Sequence, residues 1–479
     1  MFTPLFRRAL VTVSLAVLVV FATGCDDDDD NGMNPIPEGA AIRVVHASPD
    51  APAVDVYAAG STTALFTNVA YGEVTSYTEV TADTVKIELR PAGASPSTPA
   101  VYTSGALAIA EDAKVTAVAA GLISSTEPDD SFRLLPLMEG FADPGANVRV
   151  RIVHAGADAP AVAIDVANDG APEINDFARF EETGQAGVEL PAGTPIAIGI
   201  WAGAPLSRVT AFTTPALPAG GELFVIATGL LSRLPRETTG FSLLAVGPSG
   251  SVGFIKQDPV LFALHASPDA PAVDIGPSGT STSLVSDLSF AEISSPVQVQ
   301  PGTYSLDFRP AGTTVVAASA TTPALAAGER YLAVATGFLT PETGEAAFQL
   351  VPIADEFDLE LVTPVLRVAH ESPDAPAVDV GTVSGNVFTP LVPFTNLAFP
   401  GTSVATGTSV PAAALAIGIA PAGTTTPVAT FNVTTAGGMR AIAVAAGALT
   451  SRAGQETFRL MIVQTAVWPW TVAEVLPNP

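Results

Sequence analysis

The chain has 479 residues, of which 48% are hydrophobic, 14% are charged and 7% are aromatic, a composition that fits neither a disordered protein nor a coiled coil. Its formal net charge of −27 argues against binding to nucleic acid or to an anionic membrane surface through a basic patch. A single cysteine and four histidines exclude intramolecular disulfides and cysteine-rich metal clusters. The 41 glycines and 42 prolines predict many short elements separated by turns.

Residues 1–24 have the features of an export signal. Arg7 and Arg8 precede an apolar run that is shorter than the roughly 20 residues a membrane span needs. Small residues then lead into Cys25, and this junction resembles the lipobox of bacterial lipoproteins, although Ala22 stands where leucine is commoner. The resemblance implies cleavage before Cys25 and attachment of lipid to its sulfur, so that Cys25 anchors the chain to a membrane. An uncleaved signal anchor is the alternative.

Residues 25–40 predict an acidic, disordered tether. Five consecutive aspartates, Asp26 to Asp30, are followed by a stretch rich in asparagine, glycine and proline that has too few apolar side chains to pack. Acidic residues directly after the cysteine resemble lipoprotein sorting signals, which favour either retention in the inner membrane or export to the cell surface. Both destinations stay open at this point.

An internal repeat organises the rest of the chain. A motif of the form His-Ala-Ser-Pro-Asp-Ala-Pro-Ala-Val-Asp begins at His46 and returns, with variations, at His154, His265 and His370. These are all the histidines of the chain. They recur at intervals of about 105 to 110 residues, far longer than the roughly 20 to 50 residues of solenoid or propeller repeats. Each copy is therefore long enough to be a domain.

Short runs rich in valine, isoleucine and threonine alternate with glycine or proline turns in each copy, as in antiparallel β-sandwiches of about 100 residues. Runs that are apolar throughout, such as 223–227, predict central strands. We therefore predict an all-β protein with four tandem, antiparallel, immunoglobulin-like β-sandwich domains in a row, after the signal peptide and the flexible tether. The predicted boundaries are 1–24 for the signal peptide, 25–40 for the tether, 41–143, 147–248, 259–358 and 364–467 for the domains, and 468–479 for a C-terminal tail.

Two further landmarks recur with the motif, namely a Pro-Ala-Gly turn in three copies and a phenylalanine that opens the last strand of each copy, at Phe132, Phe241, Phe348 and Phe458. Together these features resemble a bacterial and archaeal family known as domain of unknown function 4397. Its members are often exported or envelope proteins, and the family has no established activity or active-site residues. The resemblance therefore implies an exported β-domain and nothing catalytic.

The histidine and the first aspartate of the motif persist in the second copy, where Gly156 and Ala157 replace the serine and proline of the others. We interpret Ser48-Pro49-Asp50 as turn chemistry, in which serine and aspartate accept hydrogen bonds from backbone amides just ahead. Each aspartate then holds loop amides or a neighbouring imidazole and locks a strand-to-strand connection. The residues with this predicted structural role are His46, Asp50, His154, Asp158, His265, Asp269, His370 and Asp374.

A cation site in each copy is the alternative. Calcium prefers about six to eight oxygen ligands, which two aspartates and the carbonyls of a proline-bent loop could supply, with Glu371 adding one in the fourth copy. The spacing matches no established calcium loop, and the second copy inserts two residues before its second aspartate. We therefore predict no bound metal and no cofactor. The candidate ligands are Asp50, Asp55, Asp158, Asp165, Asp269, Asp274, Asp374 and Asp379.

The sequence contains no hydrolase elbow, metalloprotease histidine pair or phosphate-binding loop, and we predict that the protein is not an enzyme. We predict instead a lipoprotein of the bacterial cell envelope, with the cell surface as one destination and a structural, adhesive or ligand-presenting role. Its predicted partners are a membrane, through lipid on Cys25, and an envelope protein or glycan, but no nucleic acid. A carbohydrate- or calcium-binding protein that uses loops at one end of each domain is the alternative. We expect Trp468 and Trp470 to cover a sheet edge or the core rather than to stack on a sugar.

Overall fold

The computed structural model describes residues 39–357, 362–385 and 387–479. We divide them into four units, each of which begins at or just before a motif-bearing strand: unit 1 (39–147), unit 2 (148–258), unit 3 (259–357) and unit 4 (362–479). Regular structure in these residues is β-strand apart from one short 3-10 turn at Val392–Phe394. Among the described residues, none belongs to a helix with the length and apolar character needed to cross a membrane.

The strands of units 1 and 2 are as follows. Unit 1 contains β1 (Ala41–His46), β2 (Val54–Ala58), β3 (Ala64–Val69), β4 (Thr78–Glu79), β5 (Asp83–Val85), β6 (Ile87–Pro91), β7 (Tyr102–Thr103), β8 (Leu107–Ile109), β9 (Lys114–Ala120) and β10 (Arg133–Met138). Unit 2 contains β11 (Val148–His154), β12 (Val162–Val166), β13 (Ile174–Phe177), β14 (Val188–Leu190), β15 (Ala197–Ala202), β16 (Ser207–Thr213), β17 (Glu222–Thr228), β18 (Ser242–Gly247) and β19 (Gly250–Ile255).

The strands of units 3 and 4 continue the same series. Unit 3 contains β20 (Val260–His265), β21 (Val273–Pro277), β22 (Val285–Leu288), β23 (Val297–Gln298), β24 (Ser305–Pro310), β25 (Ala318–Thr321), β26 (Arg330–Thr336) and β27 (Gln349–Ala354). Unit 4 contains β28 (Val365–Glu371), β29 (Val378–Ser384), β30 (Val387–Pro390), β31 (Gly401–Thr402), β32 (Thr408–Ser409), β33 (Ala414–Pro421), β34 (Ala429–Thr434), β35 (Arg440–Ala446), β36 (Arg459–Gln464) and β37 (Thr471–Val475).

Each unit is built from two sheets, which confirms the prediction of an all-β protein with β-sandwich architecture. The sheet that contains the motif-bearing strand, here called the inner sheet, has the strand orders β10-β9-β1-β4, β14-β11-β17-β18-β19, β23-β20-β26-β27 and β31-β28-β35-β36-β37. The outer sheets have the orders β3-β2-β6-β7, β13-β12-β15-β16, β22-β21-β24-β25 and β30-β29-β33-β34. In unit 1, β5 and β8 form an additional two-stranded sheet, and in unit 4, β32 also pairs with β28.

Each inner sheet contains one parallel pair, which the antiparallel prediction did not include. The motif-bearing strand pairs in parallel with a strand that ends just before a glycine, as β1/β9, β11/β17, β20/β26 and β28/β35. Among the described strands, every other strand pairing is antiparallel. Parallel strands are typically covered on both faces and are apolar along their whole length. The continuous apolar runs in the sequence have this form.

One face of each inner sheet packs on the outer sheet of its own unit. In unit 1, Ile42 and Val44 from β1 form a core with Ile87 and Leu89 from β6, and all four side chains are buried. Side chains in a strand alternate between faces, so Arg43 and Val45 face the other way. They are also buried, although the outer sheet of unit 1 does not cover them.

The second face of each inner sheet packs on the inner sheet of a neighbouring unit. Val45 and Val118 of unit 1 share one apolar cluster with Val153, Phe224 and Ile226 of unit 2. A corresponding cluster joins units 3 and 4, with contributions from Phe262, Leu264 and Leu332 on one side and Ile442, Val444 and Met461 on the other. We call units 1 and 2 the N-terminal pair and units 3 and 4 the C-terminal pair.

Buried arginines join the two sheets of the N-terminal pair reciprocally. Arg43 of unit 1 donates a hydrogen bond of 2.7 Å to the carbonyl of Gly247 at the end of β18, and Arg151 of unit 2 donates to the carbonyl of Met138 at the end of β10. Corresponding residues therefore make corresponding contacts in both directions, as in the interface of a twofold dimer. In the C-terminal pair, Arg367 donates to the carbonyl of Ala354 at the end of β27.

This pairing corrects the expectation of four separate domains in a simple row. A row of separate domains would leave Val45, Val118 and Phe224 in contact with water, whereas the structure buries all three between inner sheets. The sequence shows that such strands are apolar on both faces, but it does not show what covers the second face. In this chain the next copy of the repeat covers it.

Candidate functional site

The motif lies where the chain passes from the inner to the outer sheet of each unit. In unit 1, His46 is the last residue of β1, and Val54 is the first residue of β2 in the outer sheet. The residues between them therefore form the connection at one end of the sandwich. His154, His265 and His370 lie at the same place in the other units, at or next to the end of the motif-bearing strand.

All four motif histidines are buried and make the same hydrogen bond. The Nε2 atom lies 3.2, 3.0, 3.0 and 2.9 Å from the carbonyl oxygen of Pro52, Pro160, Pro271 and Pro376 in units 1 to 4, respectively. Because a carbonyl only accepts hydrogen bonds, Nε2 carries the proton. Burial lowers the pKa of each histidine below its ordinary value, so the imidazoles are neutral at pH 7. Each ring therefore closes the loop that follows it.

The first aspartate of each motif joins the motif loop to a loop much later in the unit. The carboxylate of Asp50 accepts hydrogen bonds from the backbone N–H of Ile123 at 2.9 Å and of Ser124 at 3.0 Å. The other units repeat this pair of bonds, from Leu231 and Ser232 to Asp158, from Leu339 and Thr340 to Asp269, and from Leu449 and Thr450 to Asp374. The expectation that these aspartates bind amides just ahead is therefore wrong, because the donors lie 70 to 76 residues later in the chain.

The motif serine strengthens the same connection in three units. Ser48, Ser267 and Ser372 donate hydrogen bonds of 2.6 to 2.7 Å to the carbonyls of Gly121, Gly337 and Gly447. At Gly121, φ is +82°, and an added Cβ would lie 2.4 Å from a backbone oxygen of Ser131. Only glycine fits there, since the chain turns tightly against the loop that the aspartate holds.

Unit 2 has Gly156 in place of this serine. A Cβ on Gly156, which replaces the serine, would lie 2.9 Å from the ring of Phe241, a buried residue of the unit 2 core. Asp158 keeps both of its amide hydrogen bonds without the serine.

The second aspartate of the motif holds the outer sheet together in units 1, 3 and 4. In unit 1, Asp55 accepts from the N–H of Asn68 at 2.7 Å and of Gly93 at 2.9 Å, and Gly93 is the glycine of the Pro-Ala-Gly turn. Asp274 binds the corresponding amides of Asp287 and Gly312, and Asp379 binds those of Asn396 and Gly423. Each carboxylate thus joins segments from both neighbouring strands of the sheet.

Asp165 in unit 2 is not the counterpart of Asp55. Strand pairing aligns Val54 with Val69 in unit 1 and Val162 with Phe177 in unit 2, so Ala163 occupies the position of Asp55. Asp165 instead accepts hydrogen bonds from the N–H of Asp169 and Gly170 and from Nε1 of Trp201. The two inserted residues therefore move this carboxylate along the strand to a different set of donors.

The eight aspartates that were considered as cation ligands already accept hydrogen bonds from other groups of the protein. Both oxygens of each of the eight aspartates accept at least one N–H hydrogen bond. In residues 39–357, 362–385 and 387–479, no group of three or more histidine, cysteine, aspartate or glutamate side chains could hold a metal ion. Backbone hydrogen bonds from Asp287 and Gly312 lower the pKa of Asp274 below its ordinary value.

Glu371 lies apart from these aspartates, in the interface between units 3 and 4. Its side chain is buried, neither carboxylate oxygen has a hydrogen-bond partner among the described residues, and burial raises its pKa to about 8. The corresponding residue in units 1 to 3 is Ala47, Ala155 or Ala266, each within the apolar cluster of its pair. Glu371 therefore occupies a position that is otherwise apolar.

Three further residues singled out in the sequence are Cys25, Trp468 and Trp470. Cys25 lies outside the described residues. Trp470 is 2% exposed and stacks on Phe262 at a centroid distance of 4.6 Å, whereas Trp468 is 54% exposed. Trp468 lies in a cleft between the two pairs, and arginines from three units also line this cleft. The sequence offered no signal for the cleft, because the residues that form it are far apart in the chain.

Comparison with known proteins identifies the family. The family model described as "Domain of unknown function (DUF4397)" matches residues 40–165 and 261–381, which together make up just over half of the chain. The motifs of all four units lie within these residues, whereas the later parts of units 2 and 4 lie outside them. No curated protein matches the chain. The chain belongs to the DUF4397 family and carries a repeated form of its domain.

Proposed function

We propose that this chain is a lipid-anchored protein of the bacterial cell envelope in which four DUF4397 units form two rigid pairs with a non-catalytic, structural, adhesive or ligand-presenting role. One observation carries the non-catalytic part of the proposal. The most strongly repeated polar residues, the motif histidines and first aspartates, have hydrogen bonds that join segments of their own unit. A histidine whose Nε2 proton is held by a buried carbonyl is poorly placed to exchange protons with a substrate.

Sequence features support the anchor. Residues 1–24 resemble a lipoprotein signal, Cys25 follows directly, and the acidic segment 26–30 separates the cysteine from unit 1. Lipid chains contribute about 0.8 kcal/mol per buried methylene to membrane binding, so two or more chains would hold even a chain with net charge −27 at a membrane. Calcium binding by the motif is not part of the proposal, since its carboxylates already accept N–H hydrogen bonds.

Mass spectrometry of the amino-terminal peptide, combined with protease treatment of intact cells, tests the proposal. We expect the membrane fraction to yield a peptide that begins at Cys25 and carries the mass of attached lipid. The Cys25→Ala variant is the matched control, and it should lose both the lipid and the cleavage. A peptide that begins at Met1, or an unmodified Cys25 in the membrane fraction, would contradict the anchor. Release of unit fragments from intact cells would place the units at the surface.

A further inference from the structure

A cleft of about 740 Å³ separates the N-terminal pair from the C-terminal pair. Unit 2 contributes Val209 and Leu231, unit 3 contributes Arg330, and unit 4 contributes Arg440 and Trp468. The volume falls within the range of roughly 300 to 1,000 Å³ that is usual for ligand sites. The site is therefore made jointly by three units and does not lie on the loops of any one sandwich.

The cleft concentrates positive charge on a strongly acidic protein. Four arginines line it, namely Arg208, Arg233, Arg330 and Arg440. Within the described part of the chain, no ion pair involves Arg208, Arg330 or Arg440, whereas Arg233 pairs with Glu237. Burial lowers the pKa of Arg330, and the nearby charges of Arg440 and Arg236 lower it further, while Asp355 raises it. The guanidinium groups of Arg330, Arg440 and Arg236 therefore repel one another. The buried carboxylate of Asp355 attracts Arg236, Arg330 and Arg440 and offsets part of this repulsion, and an anion in the cleft would relieve more of it.

Two carboxylates also line the cleft, but both are less exposed than the two arginines at its rim. Asp258 is 3% exposed, and Glu329 has one oxygen buried without a hydrogen-bond partner. Arg208 and Arg233, by contrast, are exposed at the rim. An entering ligand would therefore meet guanidinium groups before it met a carboxylate.

An aromatic surface lies beside the arginines. Trp468 is 54% exposed, and the guanidinium carbon of Arg330 lies 4.4 Å from its ring centre. Val209, Leu231 and Val467 add exposed apolar surface at 58%, 47% and 48% exposure. Sugar rings present apolar C–H faces that pack on aromatic rings, and carboxylates are the groups that arginine binds through paired hydrogen bonds.

We propose that this cleft binds a carboxylate-bearing oligosaccharide, with a sugar ring packed on Trp468 and its carboxylates bound by Arg440 and Arg208. The proposal names a ligand class for the ligand-presenting role given above, and in that respect it rests on the proposed function. The described residues that line the site belong to units 2 to 4. Loss of binding would therefore leave the lipid anchor untouched, and an unlipidated chain would still bind.

Isothermal titration calorimetry of the full chain with tetragalacturonate tests the proposal, with neutral galactotetraose and tetraglutamate as comparison probes. We expect tetragalacturonate to bind with a Kd below 1 mM and the two comparison probes to bind at least tenfold more weakly. Arg440→Gln and Trp468→Ala should each weaken binding at least tenfold. Lys86→Gln is the control, because Lys86 is an exposed cation of unit 1 that lies outside the cleft.

Three results would overturn the proposal. The first is that tetragalacturonate does not bind, and the second is that tetraglutamate binds as tightly as tetragalacturonate. The third is that Lys86→Gln weakens binding as much as Arg440→Gln does, which would indicate binding to net charge alone. Arg208→Gln changes only an exposed rim residue and should keep the fold. If Trp468→Ala or Arg440→Gln does not fold, unchanged binding by folded Arg208→Gln would also contradict the proposal.

Discussion

The two pairs of units follow one plan with different interface chemistry. In both pairs the inner sheets pack face to face, and a threonine hydroxyl crosses the interface to a carbonyl next to a motif histidine. Thr228 donates to the carbonyl of Ala47 at 2.7 Å in the N-terminal pair, and Thr336 donates to that of Glu371 at 2.9 Å in the C-terminal pair. The repetition shows that the interface is a property of the repeated unit rather than of one pair.

The differences show which part of the interface is essential. The N-terminal pair has buried arginines on both sides, Arg43 and Arg151. In the C-terminal pair, unit 4 has Arg367 at this position, whereas unit 3 has Phe262, on which Trp470 of unit 4 stacks across the interface. At this position of the interface, an aromatic side chain can therefore take the place of a buried arginine. An apolar face that includes the parallel strands is common to both pairs, and its burial favours their association.

Phe224→Ala should give the largest effect of a single substitution. Phe224 is 1% exposed, lies in the shared cluster of the N-terminal pair, and has the guanidinium of Arg151 5.1 Å from its ring centre. Its truncation should lower the free energy of unfolding of that pair by about 3 to 5 kcal/mol. Native-state hydrogen exchange in residues 39–258 measures this loss. Val101→Ala, at a residue that is 50% exposed, is the control.

A loss that does not exceed that of Val101→Ala would mean that the interface contributes little to stability. The C-terminal pair offers an equivalent substitution for comparison. Leu332 of β26 corresponds to Phe224 and is fully buried in the C-terminal cluster. Leu332→Ala should therefore speed hydrogen exchange in residues 259–479, and Phe224→Ala should speed it mainly in residues 39–258.

Glu371→Ala should stabilise the C-terminal pair, with a gain that depends on pH. Burial raises the pKa of Glu371 to about 8 from an ordinary value of 4.5. Between these values the unfolded chain loses the proton first, so the stability of the natural protein falls as pH rises from 4.5 to 8. The gain of the variant should grow over that window and reach roughly 2 to 4 kcal/mol above pH 8.

Thermal unfolding at a series of pH values measures this difference, and Glu371→Gln is the matched control. Glutamine keeps the volume of the side chain but does not titrate, so this variant should lose the pH dependence without opening a cavity. Parallel curves for the natural protein and for Glu371→Gln between pH 5 and 8 would contradict the account.

Asp50→Asn should lower the free energy of unfolding by about 1 to 3 kcal/mol, which is less than the loss expected for Phe224→Ala. Burial alone would raise the pKa of Asp50, but hydrogen bonds from Ser124 and Ile123 lower it below its ordinary value. The carboxylate therefore stabilises the fold above its ordinary pKa, and this contribution is lost as pH falls through the lowered value. Urea unfolding at pH 7 and at pH 3 measures it. Asp129→Asn, at an exposed residue of the same unit, should change stability by less than about 0.5 kcal/mol.

The sandwich architecture could be predicted because strand patterns are local. Ile87 and Leu89 are buried and Lys86, which precedes them, is exposed, an alternation that can be read from a few neighbouring residues. The pairing of units could not be predicted, since a run that is apolar on both faces does not identify its second neighbour. The partners of Asp50 were missed for a similar reason, because its donors Ile123 and Ser124 lie more than 70 residues away.

The most direct test compares two fragments, residues 39–147 and residues 39–258, by sedimentation and thermal unfolding. The account predicts that 39–258 is a monomer that unfolds cooperatively. The shorter fragment should self-associate or lose cooperative unfolding, because Val45 and Val118 would face water without unit 2. A monomeric 39–147 fragment as stable as unit 1 within 39–258 would contradict the claim that these repeats fold as pairs.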